Sequence, residues 1–264
     1  MFTVLSRFQS DDSHNPPVLV TGGARRIGKA IIEDMAAHNF PVIIHCNDSV
    51  TDAKSLKQEI ISRGGQAEIV KADLTSMPDV RTLIKKASEP FGAIGILINN
   101  ASLFENDQIG HLDEALWDRH FMVHVKAPVF LAESMAQALP ADQTGMIVNM
   151  IDQRVLKLNP QFYSYTLSKS ALWTATRTLA QSLAPRIRVN AVSPGPTLPS
   201  ERQDPRDFNE QVAKVLLQRA PDLDEFGQAI RTLWDLKSVT GQMLCLDGGQ
   251  HLAWETPDIA GINE

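Results

Sequence analysis

Short runs of apolar, often β-branched residues alternate along the chain with stretches whose apolar residues recur every three or four positions. The runs at residues 17–21, 41–46, 67–71, 96–99, 145–151, 188–192 and 242–246 predict seven strands. The periodic stretches at 27–38, 52–63, 78–89, 112–139, 160–184, 208–219 and 224–236 predict helices, the fourth of them as one helix or two. Most of the strand runs are apolar at consecutive positions, so both faces of their sheet must be covered. The expected fold is α/β: a single-domain, doubly wound Rossmann-type parallel sheet with helices on both faces. No linker-like composition break divides it. Residues 17–250 are therefore read as one domain, with a flexible extension over 1–16 and a tail over 251–264.

Composition narrows the class further. The 264 residues suffice for one large α/β core. A net charge of -6, with basic residues scattered, argues against a nucleic-acid surface. No apolar run approaches the ~18 residues of a membrane span, and the first sixteen residues lack the layout of a signal peptide. Cys46 and Cys245 are too few for a disulfide framework and suit a reducing compartment as free thiols. The expectation is a cytoplasmic protein acting on a small molecule, without a metal.

A doubly wound sheet binds its ligand beyond the carboxyl ends of its strands. The residues after each predicted strand are therefore the candidates. The first strand runs into Gly22-Gly23-Ala24-Arg25-Arg26-Ile27-Gly28. Glycines there let the backbone approach a pyrophosphate at the N-terminus of the next helix. Later strands leave Asn47 and Asp48, Asp73, residues 99–102, Asp152, and Pro194 with Gly195 on the same rim. In the helix predicted over 160–184, Tyr165 and Lys169 are four apart and share a face. An ammonium beside a phenol lowers the tyrosine pKa from roughly 10, which suits a general acid or base. Alone, such a pair is more often an ordinary exposed helix face.

Taken together, these stretches resemble the short-chain dehydrogenase/reductase family. The matching pieces are the turn at 21–28, Asp73, Asn99-Asn100-Ala101, Tyr165 to Lys169, Pro194-Gly195, and Thr240-Gly241 with Asp247-Gly248-Gly249. The resemblance implies that Tyr165 donates a proton to substrate, while Lys169 holds the nicotinamide ribose and keeps the tyrosine pKa low. It implies that Gly22, Ile27, Gly28, Asp73, Leu74, Asn99 and Ala101 contact the cofactor, and that Pro194-Gly195 passes beside the nicotinamide. It also implies a homotetramer.

Three departures from the family pattern stand out. Arg26 occupies a usual glycine, Asp152 stands where a serine usually precedes the tyrosine by thirteen residues, and His124 lies where the family carries an asparagine. The first two, with Phe104 after Asn-Asn-Ala-Ser, resemble the pteridine reductase branch. By that resemblance Ser102 and Phe104 line a pterin site, Phe104 stacks on the ring, and Arg26 contacts both phosphate and pterin. Asp152 and Tyr165 would then serve proton transfer to a ring C=N bond. The chemistry agrees, since a carboxylate accepts from pterin N–H groups and an aromatic face favours a flat heterocycle. Each residue has a plainer reading: Phe104 as a cleft plug, Asp152 as a turn cap, His124 as a satisfied core histidine.

Asn47 takes the place of the acid that marks NAD-specific sites, with Asp48 one residue on. Arg25 and Arg26 in the turn suit a 2′-phosphate, so NADP(H) is the expected cofactor. The expected function is NADPH-dependent reduction of a dihydropterin or dihydrofolate-like substrate. The alternatives are reduction of a ketone or aldehyde, and an NADP(H)-sensing protein of low turnover supported only by His124.

Overall fold

The structure, a computed structural model, describes residues 15–199, 204–256 and 260. Seven strands form one sheet: β1 (Val18–Val20), β2 (Val42–Cys46), β3 (Ala67–Lys71), β4 (Ile96–Asn99), β5 (Gly145–Met150), β6 (Ile187–Pro194) and β7 (Met243–Leu246). Their order is β3-β2-β1-β4-β5-β6-β7, and every neighbouring pair is parallel. The order reverses between β1 and β4. That reversal opens the crevice in which such sheets bind ligands.

Strand periodicity explains the consecutive apolar runs. Val18, Val20, Val42, Ile44, Ile96, Ile98, Met146 and Val148 point into one core. Leu19, Ile43, Leu97 and Ile147, the residues between them, point into the other. The first core is closed by α1 (Arg26–Ala37), α2 (Val50–Ser62) and α8 (Leu223–Asp235), through Ile31, Met35, Leu56, Phe226 and Ile230. The second is closed by α3 (Met77–Ser88) and α5 (Ala127–Ala138), through Val80, Leu83, Ile84, Leu131 and Met135, with Ala180 of α6 (Tyr163–Leu183) at its margin. Each fully buried leucine or isoleucine among them contributes roughly 1.5–3 kcal/mol. Cys46 and Cys245 lie on β2 and β7, near opposite ends of the sheet, and both are free thiols.

Several boundaries differ from the sequence expectation, each for a local reason. The stretch at 112–139 is three pieces: α4 (Glu114–Phe121), a π-helical turn at Met122–Lys126, and α5. Helix α6 starts at Tyr163 and not at 160, because Phe162 takes the left-handed conformation with φ 54. Helix α7 covers Pro205–Ala213 rather than 208–219. Pro205 pre-sets the first-turn φ, and the Asp204 side chain caps the end by accepting from the Arg206 N–H at 2.8 Å. The extension expected over 1–16 lies outside the described residues except for its last two, as does much of the tail beyond 256.

Candidate active site

Beyond the carboxyl ends of the strands lie two connected hollows, of about 630 and about 500 Å³. Arg26, Ile27, Asn100, Ser102 and Phe104 line both, so they form one cleft. The smaller hollow is also lined by Gly22, Arg25, Gly28, Asn47, Asp48, Asp73, Leu74 and Ala101. Asp152, Tyr165, Lys169, Pro194 and Gly195 line the larger. Nearly every candidate named from the sequence thus faces one cavity system. Asn99 does not. It is buried, and its side-chain amide donates to Asn149 Oδ1 at 2.8 Å, while Asn149 donates to Thr176. Asn99 ties β4 to β5 and α6 from inside the protein and does not line the cofactor side of the cleft.

The glycine turn is held from three directions. Asn100 donates its amide to the carbonyls of Thr21 and Gly22, and Thr21 Oγ1 accepts from the N–H groups of Asn100 and Ala101. The third support, His45, escaped the sequence reading. Its Nδ1 accepts from the Gly22 N–H at 3.0 Å, so the ring proton sits on Nε2 and donates to the Ala72 carbonyl at 3.1 Å. Burial lowers its pKa to about 4, so it stays a neutral brace. The available signal was one polar residue inside the apolar run at 41–46. Gly28 packs so closely that an added Cβ would meet the Gly22 carbonyl oxygen at 2.2 Å. The N-terminus of α1, with its unpaired N–H groups, therefore opens directly on the smaller hollow.

The two arginines of the turn are partly committed. Arg25 pairs with Asp52, Nε to Oδ2 at 2.7 Å. Arg26 sits at φ 53, a left-handed conformation that a glycine would adopt without cost. Its guanidinium reaches across the cleft to the carbonyls of Leu198 and Pro199, at 3.2 and 3.0 Å. In this state Arg26 joins the phosphate turn to the segment after β6.

At the centre, the Tyr165 hydroxyl donates to Asp152 Oδ2 at 2.8 Å. Oδ1 of the same carboxylate accepts from the Arg154 N–H at 2.8 Å. Asp152 is therefore both turn cap and partner of the tyrosine, one oxygen for each. Lys169 donates to the Met150 carbonyl at 2.8 Å, with its Nζ 5.7 Å from the centre of the Tyr165 ring. This arrangement corrects the expected pKa of the tyrosine. Burial, and then the Asp152 charge, push it well above its ordinary value. The carboxylate is in direct contact and the ammonium is not, so the carboxylate dominates. Tyr165 stays protonated at neutral pH, as a proton donor must. Burial lowers Lys169 to about 8, against a smaller opposing effect of Asp152.

An aromatic box surrounds the phenol. Phe104, His120 and His124 approach the Tyr165 ring edge-on, with centroids at 4.9, 5.9 and 5.3 Å. Phe104 is also stacked flat on Phe162, centroids 4.2 Å apart. His124 is a satisfied buried histidine. Its Nε2 accepts from the Leu103 N–H at 3.0 Å, leaving Nδ1 to donate to Ser168 Oγ at 2.8 Å. Ser168 in turn donates to the Tyr165 carbonyl. His124 ties the loop after β4 to the tyrosine helix and makes no bond to Lys169.

That same loop clamps the start of α6. Asn106 Oδ1 accepts from the Phe162 N–H, the Asp107 carbonyl from Tyr163, and Asp107 Oδ1 from Ser164, at 2.9, 3.0 and 2.9 Å. Capping side chains of this kind are worth about 1 kcal/mol each. They offset the ~1–2 kcal/mol that a left-handed phenylalanine costs. Among the described residues no cluster of three His, Cys, Asp or Glu side chains could hold a metal, and no helix is long and apolar enough to cross a membrane.

The fold, the glycine turn and the Tyr165–Lys169 pair define a nucleotide-binding oxidoreductase, and comparison with known proteins agrees. Residues 17–210 match the family described as short chain dehydrogenase, and the chain belongs to that family. It is similar to the solved structure of FolM alternative dihydrofolate reductase 1 from Brucella canis, complexed with NADP. The two are 66% identical with a TM-score of 0.91, over 93% of this chain and 97% of that one. The Brucella suis counterpart, also in complex with NADP, matches at 66% identity and TM-score 0.91, over 93% of this chain and 98% of that one. Among curated proteins, galactitol 2-dehydrogenase from Agrobacterium fabrum is 32% identical over 187 residues, covering 69% of this chain and 70% of the relative.

Proposed function

We propose that this chain is an NADPH-dependent reductase of pterins, acting on a C=N bond of a dihydropterin or dihydrofolate-type ring. The observation that carries this reading is the Tyr165–Asp152 hydrogen bond at 2.8 Å, which sets a carboxylate beside the proton donor. The names of the Brucella neighbours support it. The smaller hollow suits a dinucleotide, with its glycine turn and open helix N-terminus, and in the adjoining larger hollow Gly195 lies so close to Asp247 that an added Cβ would be 2.6 Å from its Cα. Asn47 in place of an acid, with Arg25 and Arg26 in the turn, supports NADPH over NADH.

NADPH, when bound, supplies the hydride. Tyr165, kept protonated by burial and by Asp152, delivers its phenolic proton to the ring nitrogen next to the reduced carbon. Lys169 offsets the negative charge left on the phenolic oxygen. Asp152 accepts from the N–H groups of the pterin edge. Phe104, stacked on Phe162 in this structure, offers the aromatic surface for the pterin. The sensing alternative rested on His124, whose bonds brace a loop, and it has no further support. Carbonyl reduction has the curated relatives in its favour.

Turnover separates these readings. The expected result is oxidation of NADPH by a dihydropterin and not by simple ketones, with NADH binding at least about tenfold more weakly. Ketone turnover alone, or tighter NADH, would sink the substrate or the cofactor assignment respectively. A pH profile tests Lys169. With its pKa at about 8, the ammonium is present below that pH and lost above it. The value of kcat/KM for NADPH, which reports the free enzyme, should fall as pH rises through about 8. A profile flat from pH 7 to 9 would contradict this role. We also propose, from the family resemblance, a homotetramer acting in the cytoplasm; light scattering that returns a monomer would refute the assembly.

A further inference from the structure

The cleft contains a cation that none of the chemistry above uses. Arg154 follows Asp152 by two residues, on the short turn Gln153–Val155. Its backbone N–H is fixed by Asp152 Oδ1, so the carboxylate that meets Tyr165 also places this residue. The guanidinium carbon lies 4.9 Å from the centre of the Phe162 ring and 5.7 Å from that of Phe104, while the two rings are 4.2 Å apart. The three lengths form a triangle. Arg154 therefore flanks the stacked pair and does not lie beyond it, and all three residues line the larger hollow.

Among the described residues its guanidinium finds no acceptor. The other half-buried arginines each reach an acceptor, Arg186 and Arg188 on main-chain carbonyls and Arg231 on Asp34, although Arg186 also buries an Nε without one. No described residue accepts a hydrogen bond from the Arg154 guanidinium, and its Nη1 is buried without a partner. An unpaired buried donor is costly and calls for an explanation. The other cations of the larger hollow each have an acceptor, Lys169 the Met150 carbonyl and Arg26 those of Leu198 and Pro199. Asp152 accepts from the Arg154 backbone N–H and from Tyr165, and from no nitrogen of the Arg154 guanidinium. Arg154 therefore presents to the larger hollow a planar, forked donor with no acceptor among the described residues. That geometry matches a carboxylate, which a guanidinium holds through two parallel bonds.

We propose that Arg154 is a specificity-determining residue that receives a carboxylate of the substrate, and that the preferred substrates are dihydropterins bearing an acidic side chain, of the dihydrofolate type. This rests on the pterin reductase reading. A neutral dihydropterin with a short hydroxyalkyl tail would leave the guanidinium unpaired, whereas the glutamate end of a dihydrofolate supplies the missing acceptor.

The test compares KM for dihydrofolate with KM for dihydrobiopterin, at saturating NADPH, in the wild type, Arg154→Gln and Arg154→Lys. The ratio of dihydrofolate to dihydrobiopterin KM should rise at least tenfold in Arg154→Gln and by less in Arg154→Lys, which keeps the charge and loses the fork. An unchanged ratio, or equal increases in both KM values, would overturn the proposal, the latter by assigning Arg154 to the ring. Should the variants fail to fold, p-aminobenzoylglutamate provides a second readout: it should inhibit the wild type competitively against dihydrofolate, and absence of inhibition at millimolar concentration would refute the carboxylate site. A wild type that reduces neither substrate would instead defeat the pterin reading itself, an outcome distinct from an unchanged ratio.

Discussion

Tyr165→Phe should lower kcat for pterin reduction by about 10²–10⁴-fold, the usual contribution of a positioned proton donor, while NADPH still binds. The substitution removes one oxygen and keeps the ring. The edge-on contacts with Phe104, His120 and His124 should survive it. What disappears is the proton held by burial and by Asp152. The loss should therefore fall on kcat, since the proton moves only in the reacting complex. Stopped-flow single turnovers, with cofactor titration by fluorescence, would separate the two. A variant with more than a tenth of wild-type kcat would mean that another group, Asp152 first among them, supplies the proton.

The second large effect is expected at Gly28. Alanine is the better helix former by about 1 kcal/mol, and α1 would gain from it if nothing else changed. Space decides otherwise. The new Cβ would stand 2.2 Å from the Gly22 carbonyl oxygen and 2.6 Å from the Asn100 amide nitrogen. Both neighbours are anchored, Gly22 by His45 and Asn100 by Thr21. Overpacking of this sort costs about 1–3 kcal/mol, and relief must come from opening the turn. Gly28→Ala should therefore lower the melting temperature and weaken NADPH binding by at least about tenfold. Unchanged NADPH affinity would place the pyrophosphate somewhere else.

The sheet was legible because its signal is redundant. Seven runs, most of them apolar at consecutive positions, leave little freedom in a strand assignment, and the two cores follow from alternation along those runs. The rim residues were legible because they stand just after the strands. Features that depend on distant partners were hidden. Nothing in the sequence near Asn106 and Asp107 says that they cap a helix beginning more than fifty residues later. The left-handed turn at Phe162 is visible only once that clamp is seen. The directions of the two side chains of the Asn-Asn pair at the end of β4 were hidden as well: Asn99 faces the interior and Asn100 the glycine turn. The tyrosine pKa was misjudged from helix spacing alone. That spacing revealed Lys169 and could not weigh it against an aspartate from β5's far end in direct contact.

The clamp on α6 has a consequence for engineering substrate range. Residues 102–107 and 162–168 are stitched together by Asn106, Asp107 and His124, and by the Phe104–Phe162 stack. Aromatic wall and proton donor therefore move as one body. Grafting the loop after β4 from a relative, without the start of the tyrosine helix, would carry a foreign wall onto an uncapped helix. The two segments, far apart in the chain, constitute one transplantable unit, whereas the segment after β6, held across the cleft by Arg26, can be exchanged separately.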